Sequence, residues 1–342
     1  MSRAGRFAPS AICHLPCRQA LITEMTFPYR KRISQIIPVL VGLILLNLSV
    51  RTISQEVRNY PPGEILKSFT TIPALSIVLA VGLTLLNYVA LTGYDTLAVR
   101  LLRRPLAYRQ TALAGGISYA ISNSVGFTFF SGSVLRYRFY ARWGFSIVQI
   151  AQIIAFCNLS FWIGLFAVAG VFFLVNPPAV PNFLDFPFDS IHFLGGVFLS
   201  CLLGYLGWSA INRKKRLKIG RWRLPYIPLT LALAQVGVTM ADWVLVAGVL
   251  YALLPQPISV SFPAFCGIYV LARLAGIMSN VPGGLGVFEV VILSFLSPPI
   301  ASGNLLGSIL VYRSIYYFLP FAIAVLLLSF YESRQRSDMK SG

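Results

Sequence analysis

Residues 147–175 and 191–211 are two nearly unbroken apolar stretches, each long enough to cross a bilayer as a helix. That feature leaves the chain few options. In hydrocarbon every backbone N–H and C=O must find its partner inside the protein, so a chain built from such runs folds as membrane helices. The rest of the sequence agrees: 57% of the residues are hydrophobic and only 11% charged, where a soluble domain carries roughly 25% charged residues. The expectation is an all-α polytopic membrane protein of about seven to nine membrane segments, with no room for a large soluble domain.

Charge sorts the loops. The net charge is +18, from 28 Lys and Arg against 10 Asp and Glu, and in a membrane chain this reads as cytoplasmic loops facing anionic headgroups. Nucleic acid is not an expected partner, because the basic residues lie in short loops. Arg213, Lys214, Lys215, Arg216, Lys218, Arg221 and Arg223 mark 212–224 as cytoplasmic. Residues 176–190 hold Asp185, Asp189 and four prolines without Lys or Arg, and 255–261 hold no charge, so both are expected outside. Further apolar runs lie at about 33–50, 72–91, 225–253, 261–280 and 300–330, the last interrupted by Pro320. The organisation expected is a basic cytoplasmic segment at 1–32, a transmembrane domain at 33–331 and a cytoplasmic tail at 332–342. Residues before Met25 lack the apolar core of a secretory signal, and Met25 is an alternative start. Cys13 and Cys17 have only His14 nearby, too little for a metal site. No HExxH, GxxxxGK[ST] or GxSxG motif is present, so neither a metal nor a cofactor is expected.

Two apolar regions carry helix breakers. Ser279-Asn280-Val281-Pro282-Gly283-Gly284-Leu285-Gly286-Val287-Phe288-Glu289 combines a proline with three glycines, so a helix should end near Asn280 and restart near Val287. Broken backbone at membrane depth is tolerated where protein or a water-filled cavity covers it; the alternative is a tight interhelical turn. The second region is 111–130, flanked by basic loops at 92–110 (Arg100, Arg103, Arg104, Arg109, with Asp95) and 131–144 (Arg136, Arg138, Arg142). If both loops face the cytoplasm the segment must enter and return, breaking near Ser122-Asn123-Ser124-Val125-Gly126. Placing Ser122-Asn123 on Ser279-Asn280 also places Gly126 on Gly283, an offset of 157 residues, close to half the chain. Paired interrupted segments point to a transporter site, and inverted halves would leave both termini cytoplasmic. Asn123 and Asn280 are then expected within about 20 Å of each other, roughly two helix diameters.

Asp242, Arg273 and Glu289 are ionisable residues inside apolar runs, where each costs about 2.5–3.5 kcal/mol to insert. Arg273 pairing structurally with Asp242 or Glu289 is one reading. A polar cavity shared by both acids is the other, with a spare negative charge suited to an ammonium group. Asp95 reads either as a solvated loop acid or as a site residue. Arg136 and Arg138 read either as ordinary cytoplasmic charge or as a grip on phosphate beside the break.

The residues Tyr119-Ala120-Ile121-Ser122-Asn123-Ser124-Val125-Gly126-Phe127, Ser131-Gly132, Arg136-Tyr137-Arg138 and Trp143-Gly144 resemble the transmembrane region of the lysylphosphatidylglycerol synthetase family, best known from the bifunctional multiple peptide resistance factors. Val281–Glu289 is similar to that family's second signature, and the resemblance spans roughly 30–330. It implies a flippase of the bacterial inner membrane, linked to antimicrobial peptide resistance, that moves aminoacylated phosphatidylglycerol outward. The family's acids and arginines would fall on Asp95, Arg136, Arg138, Asp242 and Glu289. The chain reaches only Gly342, with no synthase domain expected, so a separate synthase or a homo-oligomer are the partners it suggests. The leading expectation is translocation of an anionic or aminoacylated phospholipid, not catalysis. The alternatives are a membrane-embedded transferase, for which no closely spaced pair of acids speaks, and a structural or regulatory membrane partner.

Overall fold

The computed structural model describes residues 72–104, 106–125, 128–178, 191–211, 217–219, 222–224, 226–258, 260–279, 282–296, 300 and 302–341. The basic segment 1–32, the apolar run 33–50, the acids Asp185 and Asp189, Gly126 and Asn280 lie outside the described residues. The fold is an all-α polytopic membrane protein. Among the described residues five helical stretches are long and apolar enough to span: 74–101, 147–175, 191–211, 229–253 and 303–331.

Helix α1 (Ala74–Leu101) follows Pro73 and continues ten residues past the expected end at 91. Its polar residues are satisfied within the helix or by neighbours: the Thr84, Thr92 and Thr96 hydroxyls donate to the carbonyls of Ala80, Val89 and Thr92. Asp95 is therefore a fully buried helical residue and not a solvated loop acid. Helices α2 (Tyr108–Val125) and α3 (Thr128–Arg142) flank the break expected near 122–126. The stretch 131–144, expected as a loop, is mostly α3, because Arg136 is neutralised and so tolerates burial. The hairpin enters and returns: the Arg104 guanidinium, before α2, lies 5.5 Å from the ring centroid of Phe145, after α3.

Helix α4 (Ile147–Val175) starts at a capping box in which Ser146 and Gln149 satisfy each other's backbone N–H. Helix α5 (Ile191–Ile211) precedes the basic loop, where Leu217–Ile219 (β1) pairs antiparallel with Trp222–Leu224 (β2). Helix α6 (Leu229–Leu253) begins after Pro228, and α7 (Phe262–Met278) has proline in its first turn. A 3-10 turn at Pro282–Gly284 leads into α8 (Val287–Leu296), as the breakers predict. Helix α9 (Ser302–Arg313), a π-helical turn at Ser314–Phe318 and α10 (Leu319–Ser341) form the last arm. Pro320 has no N–H for the Tyr316 carbonyl, and the π turn re-satisfies the ladder by the Leu319 N–H donating to Ser314 O.

Shifting the first half by 157 residues carries α1 to 231–258, α2 to 265–282, α3 to 285–299 and α4 to 304–332. The observed counterparts are α6 at 229–253, α7 at 262–278, α8 at 287–296 and α9–α10 at 302–341. The repeat that two dipeptides suggest thus extends through four helices. Helices α1 and α6 form the most extensive helix pair, and α2 packs against the Pro282–Gly284 turn, so the two broken regions meet. Large apolar side chains such as Leu75, Val78, Leu85 and Leu86 of α1 point outward, as lipid-facing residues do.

Candidate functional site

Three charged stations lie inside this bundle. The first fastens the α2–α3 hairpin. Arg136 of α3 presents its fork to Asp95 of α1, with Nε 2.9 Å from Oδ1 and Nη2 2.8 Å from Oδ2. The Tyr140 hydroxyl donates to Oδ1 at 3.0 Å, and the guanidinium lies 4.5 Å from the Tyr119 ring centroid. The carboxylate fits because α2 has no side chain at Gly115, where a Cβ would stand 2.9 Å from Oδ2. A bidentate pair with both partners buried is strong where further hydrogen bonds support it, and here the Tyr140 hydroxyl and the Tyr119 ring do so.

The second station fastens α8. Glu289 accepts the Gly286 N–H on Oε2 at 2.8 Å and receives Nε and Nη2 of Arg313, from α9, on Oε1. As the acid of the first helical turn, Glu289 also suits the positive end of α8. Its partner is therefore Arg313 and not Arg273, the arginine that proximity in sequence favours. Sequence reasoning missed Arg313, although an arginine inside the apolar run 300–330 is the same signal that marked Arg273.

The third station lies where α1 and α6 cross. Asp242 accepts Asn87 Nδ2 on Oδ1 at 2.7 Å and the Tyr94 hydroxyl on Oδ2 at 2.6 Å. Asn87 Nδ2 also donates to the Asp242 backbone carbonyl, and Asn87 Oδ1 accepts from Tyr316 at 2.9 Å. Asn87 and Asp242 lie two residues from equivalent positions of the repeat. Among the described residues, both side-chain donors to Asp242 are neutral. Among the described residues Arg273 makes no hydrogen bond or ion pair to Asp242; its Nη1 donates to the Tyr317 hydroxyl at 2.9 Å. Tyr317 belongs to a cluster of tyrosines with Tyr269, Tyr312 and Tyr316, Tyr269 and Tyr312 joined hydroxyl to hydroxyl at 2.7 Å. Tyr317 links the second and third stations, offering its ring to Arg313 at 5.7 Å and its hydroxyl to Arg273.

The remaining expected site residues frame these stations. Arg138 is half-buried two residues beyond Arg136, and residues spaced by two point to different helix faces, so the two arginines do not form one grip. Ser122 is buried on α2 beside Gly132, and Asn123 follows it half-buried on the same helix. Ser279 closes α7, its hydroxyl donating to Gly276 O. Gly283 and Gly284 take φ of +67° and +63° in the turn. Asn87, Tyr94 and the tyrosine cluster carry no sequence signal of their own, since single polar and aromatic residues in apolar runs usually pack as core.

Comparison with known proteins places this geometry. The profile of the lysylphosphatidylglycerol synthase TM region matches residues 35–324. The chain is 47% identical to the Synechocystis protein slr0712 over 91% of this chain and 98% of that one. It is 27% identical to the inner membrane protein YbhN of Escherichia coli, over 80% of this chain and 84% of that one. It is 26% identical to a phosphatidylglycerol lysyltransferase of Staphylococcus aureus, covering 88% of this chain but only 35% of the lysyltransferase.

Proposed function

The chain belongs to the lysylphosphatidylglycerol synthase transmembrane-region family, and from that premise we propose that it translocates a phospholipid across the bacterial inner membrane without transforming it chemically. Aminoacylated phosphatidylglycerol is the substrate that the name of the staphylococcal relative favours. The inner membrane is the location that the name of the Escherichia coli relative favours. Both termini are cytoplasmic in this reading.

One observation carries the proposal. Where the two broken halves meet, the Asp242 carboxylate is held by the neutral donors Asn87 and Tyr94. A buried charge is expensive unless a partner offsets it. Asp95 and Glu289 have their arginines, whereas Asp242 keeps its charge for a ligand. An ammonium group on a lipid headgroup passing between the halves supplies that charge. The two ion-paired stations hold the broken arms in place while the headgroup passes.

The test uses purified protein in liposomes carrying fluorescent phosphatidylglycerol or its lysyl ester, with impermeant dithionite bleaching the outer leaflet. The protein should accelerate loss of the inner-leaflet signal, and Asp242→Asn should slow transfer of the lysyl ester at least tenfold, the loss of one charge-assisted contact. Bleaching no faster than in protein-free vesicles, for both lipids, overturns the proposal.

A further inference from the structure

Among the described residues, the arginines Arg136, Arg273 and Arg313 inside the bundle are not alike. Arg136 and Arg313 each end on a carboxylate. Arg273 is half-buried, and among the described residues its hydrogen-bond partner is a phenol, through Nη1 alone. Among the described residues its Nε–H and both Nη2 hydrogens have no acceptor and remain for another. The Tyr317 hydroxyl, which accepts from Arg273, has its own hydrogen left to donate among the described residues. Among the described residues a guanidinium whose hydrogen-bond partner is a neutral phenol, with the Asp242 carboxylate engaged by Asn87 and Tyr94, lacks a bonded counter-charge.

We propose that Arg273 and Tyr317 form an anion site for a phosphate group, the fork of Arg273 taking two phosphate oxygens and the Tyr317 hydroxyl a third. The inference rests on the reading of the chain as a lipid translocator and adds where the phosphate of the headgroup binds. Planar guanidinium forks match phosphate oxygens in pairs, and the π turn that carries Tyr317 sets its hydroxyl beside that fork. The arrangement also separates the charges. Asp242 meets a cation and Arg273 an anion, the two linked through Asn87, Tyr316 and Tyr317, which suits a headgroup carrying both. Arg136, the arginine that the sequence offers for phosphate, has Nε and Nη2 occupied by Asp95 and is a fastening residue in this scheme.

The experiment measures equilibrium binding of short-chain phosphatidylglycerol to the full chain in detergent, with inorganic phosphate and a neutral short-chain diacylglycerol as competitors. Arg273→Gln should weaken binding about tenfold or more, and Tyr317→Phe severalfold, as expected for lost charge-assisted hydrogen bonds. Competition by inorganic phosphate supports a site for phosphate as such; competition by phosphatidylglycerol alone supports a site for the lipid diester. Arg273→Lys keeps the charge without the fork and should fall between wild type and Arg273→Gln, which guards against misfolding of the glutamine variant. Unchanged affinity in Arg273→Gln and Tyr317→Phe, or displacement by diacylglycerol as effective as by phosphatidylglycerol, overturns the proposal. Binding is read without transport, so vesicles that flip lipid while the variants bind normally remove this site and leave the proposed function standing.

Discussion

Asp95 and Asp242 are both buried carboxylates on crossing helices, but removing their charges should have opposite consequences. Asp95→Asn strands the Arg136 guanidinium in the interior, a loss of about 3–5 kcal/mol. Asp242→Asn keeps neutral company: the new amide can accept from one neighbour and donate to the Tyr94 oxygen, so the fold should lose far less. Glu289→Gln should behave like Asp95→Asn, because it strands Arg313. Equilibrium unfolding in mixed micelles checks this, and equal losses for Asp95→Asn and Asp242→Asn would contradict the division into fastening and ligand-facing acids. At this scale the sequence marked Asp242, Arg273 and Glu289 as expensive to bury, passed over Arg313, and did not show which residues pair. Glu289 lies sixteen residues after Arg273 and twenty-four before Arg313, and choosing between them needs the direction in which the Pro-Gly turn sends α8.

Among the elements, the breaks were legible because proline, clustered glycine and flanking arginines act locally. The extension of α1 past residue 91 and the helicity of 131–142 were not, because both depend on one non-local pair. Asp95 and Arg136 each look like loop residues until the other neutralises it. The turn before α8 offers a test. Gly284 has φ +63°, and a Cβ there would lie 3.0 Å from the Gly276 Cα, so side-chain strain adds to backbone contact between α7 and the turn. Gly286 has φ +80° with open space around it, so a Cβ meets conformational strain alone, about 1–2 kcal/mol. Gly284→Ala should therefore lower the melting temperature in detergent more than Gly286→Ala. Equal shifts would mean that α7 and the turn separate freely, and that the close approach does not hold the second hairpin.

Among the described residues the molecule reads as two halves, with α5 between them, whose helices recur at one offset and whose broken hairpins touch. A repeat of this kind is written in helix lengths and breaks, which is why two dipeptides suggested it and side-chain identity barely records it. The halves also divide their charges differently. The first half puts the acid on its long helix and the arginine on the return arm of its hairpin; the second puts the acid on the return arm and the arginine on the following helix. The membrane sense of the first hairpin fixes the rest of the topology. Arg104 lies against Phe145, so both mouths of the α2–α3 hairpin open at one end of the bundle, and their arginines argue that this end is cytoplasmic. In a cysteine-free background, Ala141→Cys and Lys214→Cys should resist an impermeant maleimide added to spheroplasts whose inner membrane is intact. Gln256→Cys, in the exposed charge-free stretch after α6, should react. Permeabilising the cells should then expose the first two. Reaction of Ala141→Cys from outside at the rate of Gln256→Cys would place the hairpin mouth on the outer surface, and the inverted arrangement of the two halves would have to be abandoned.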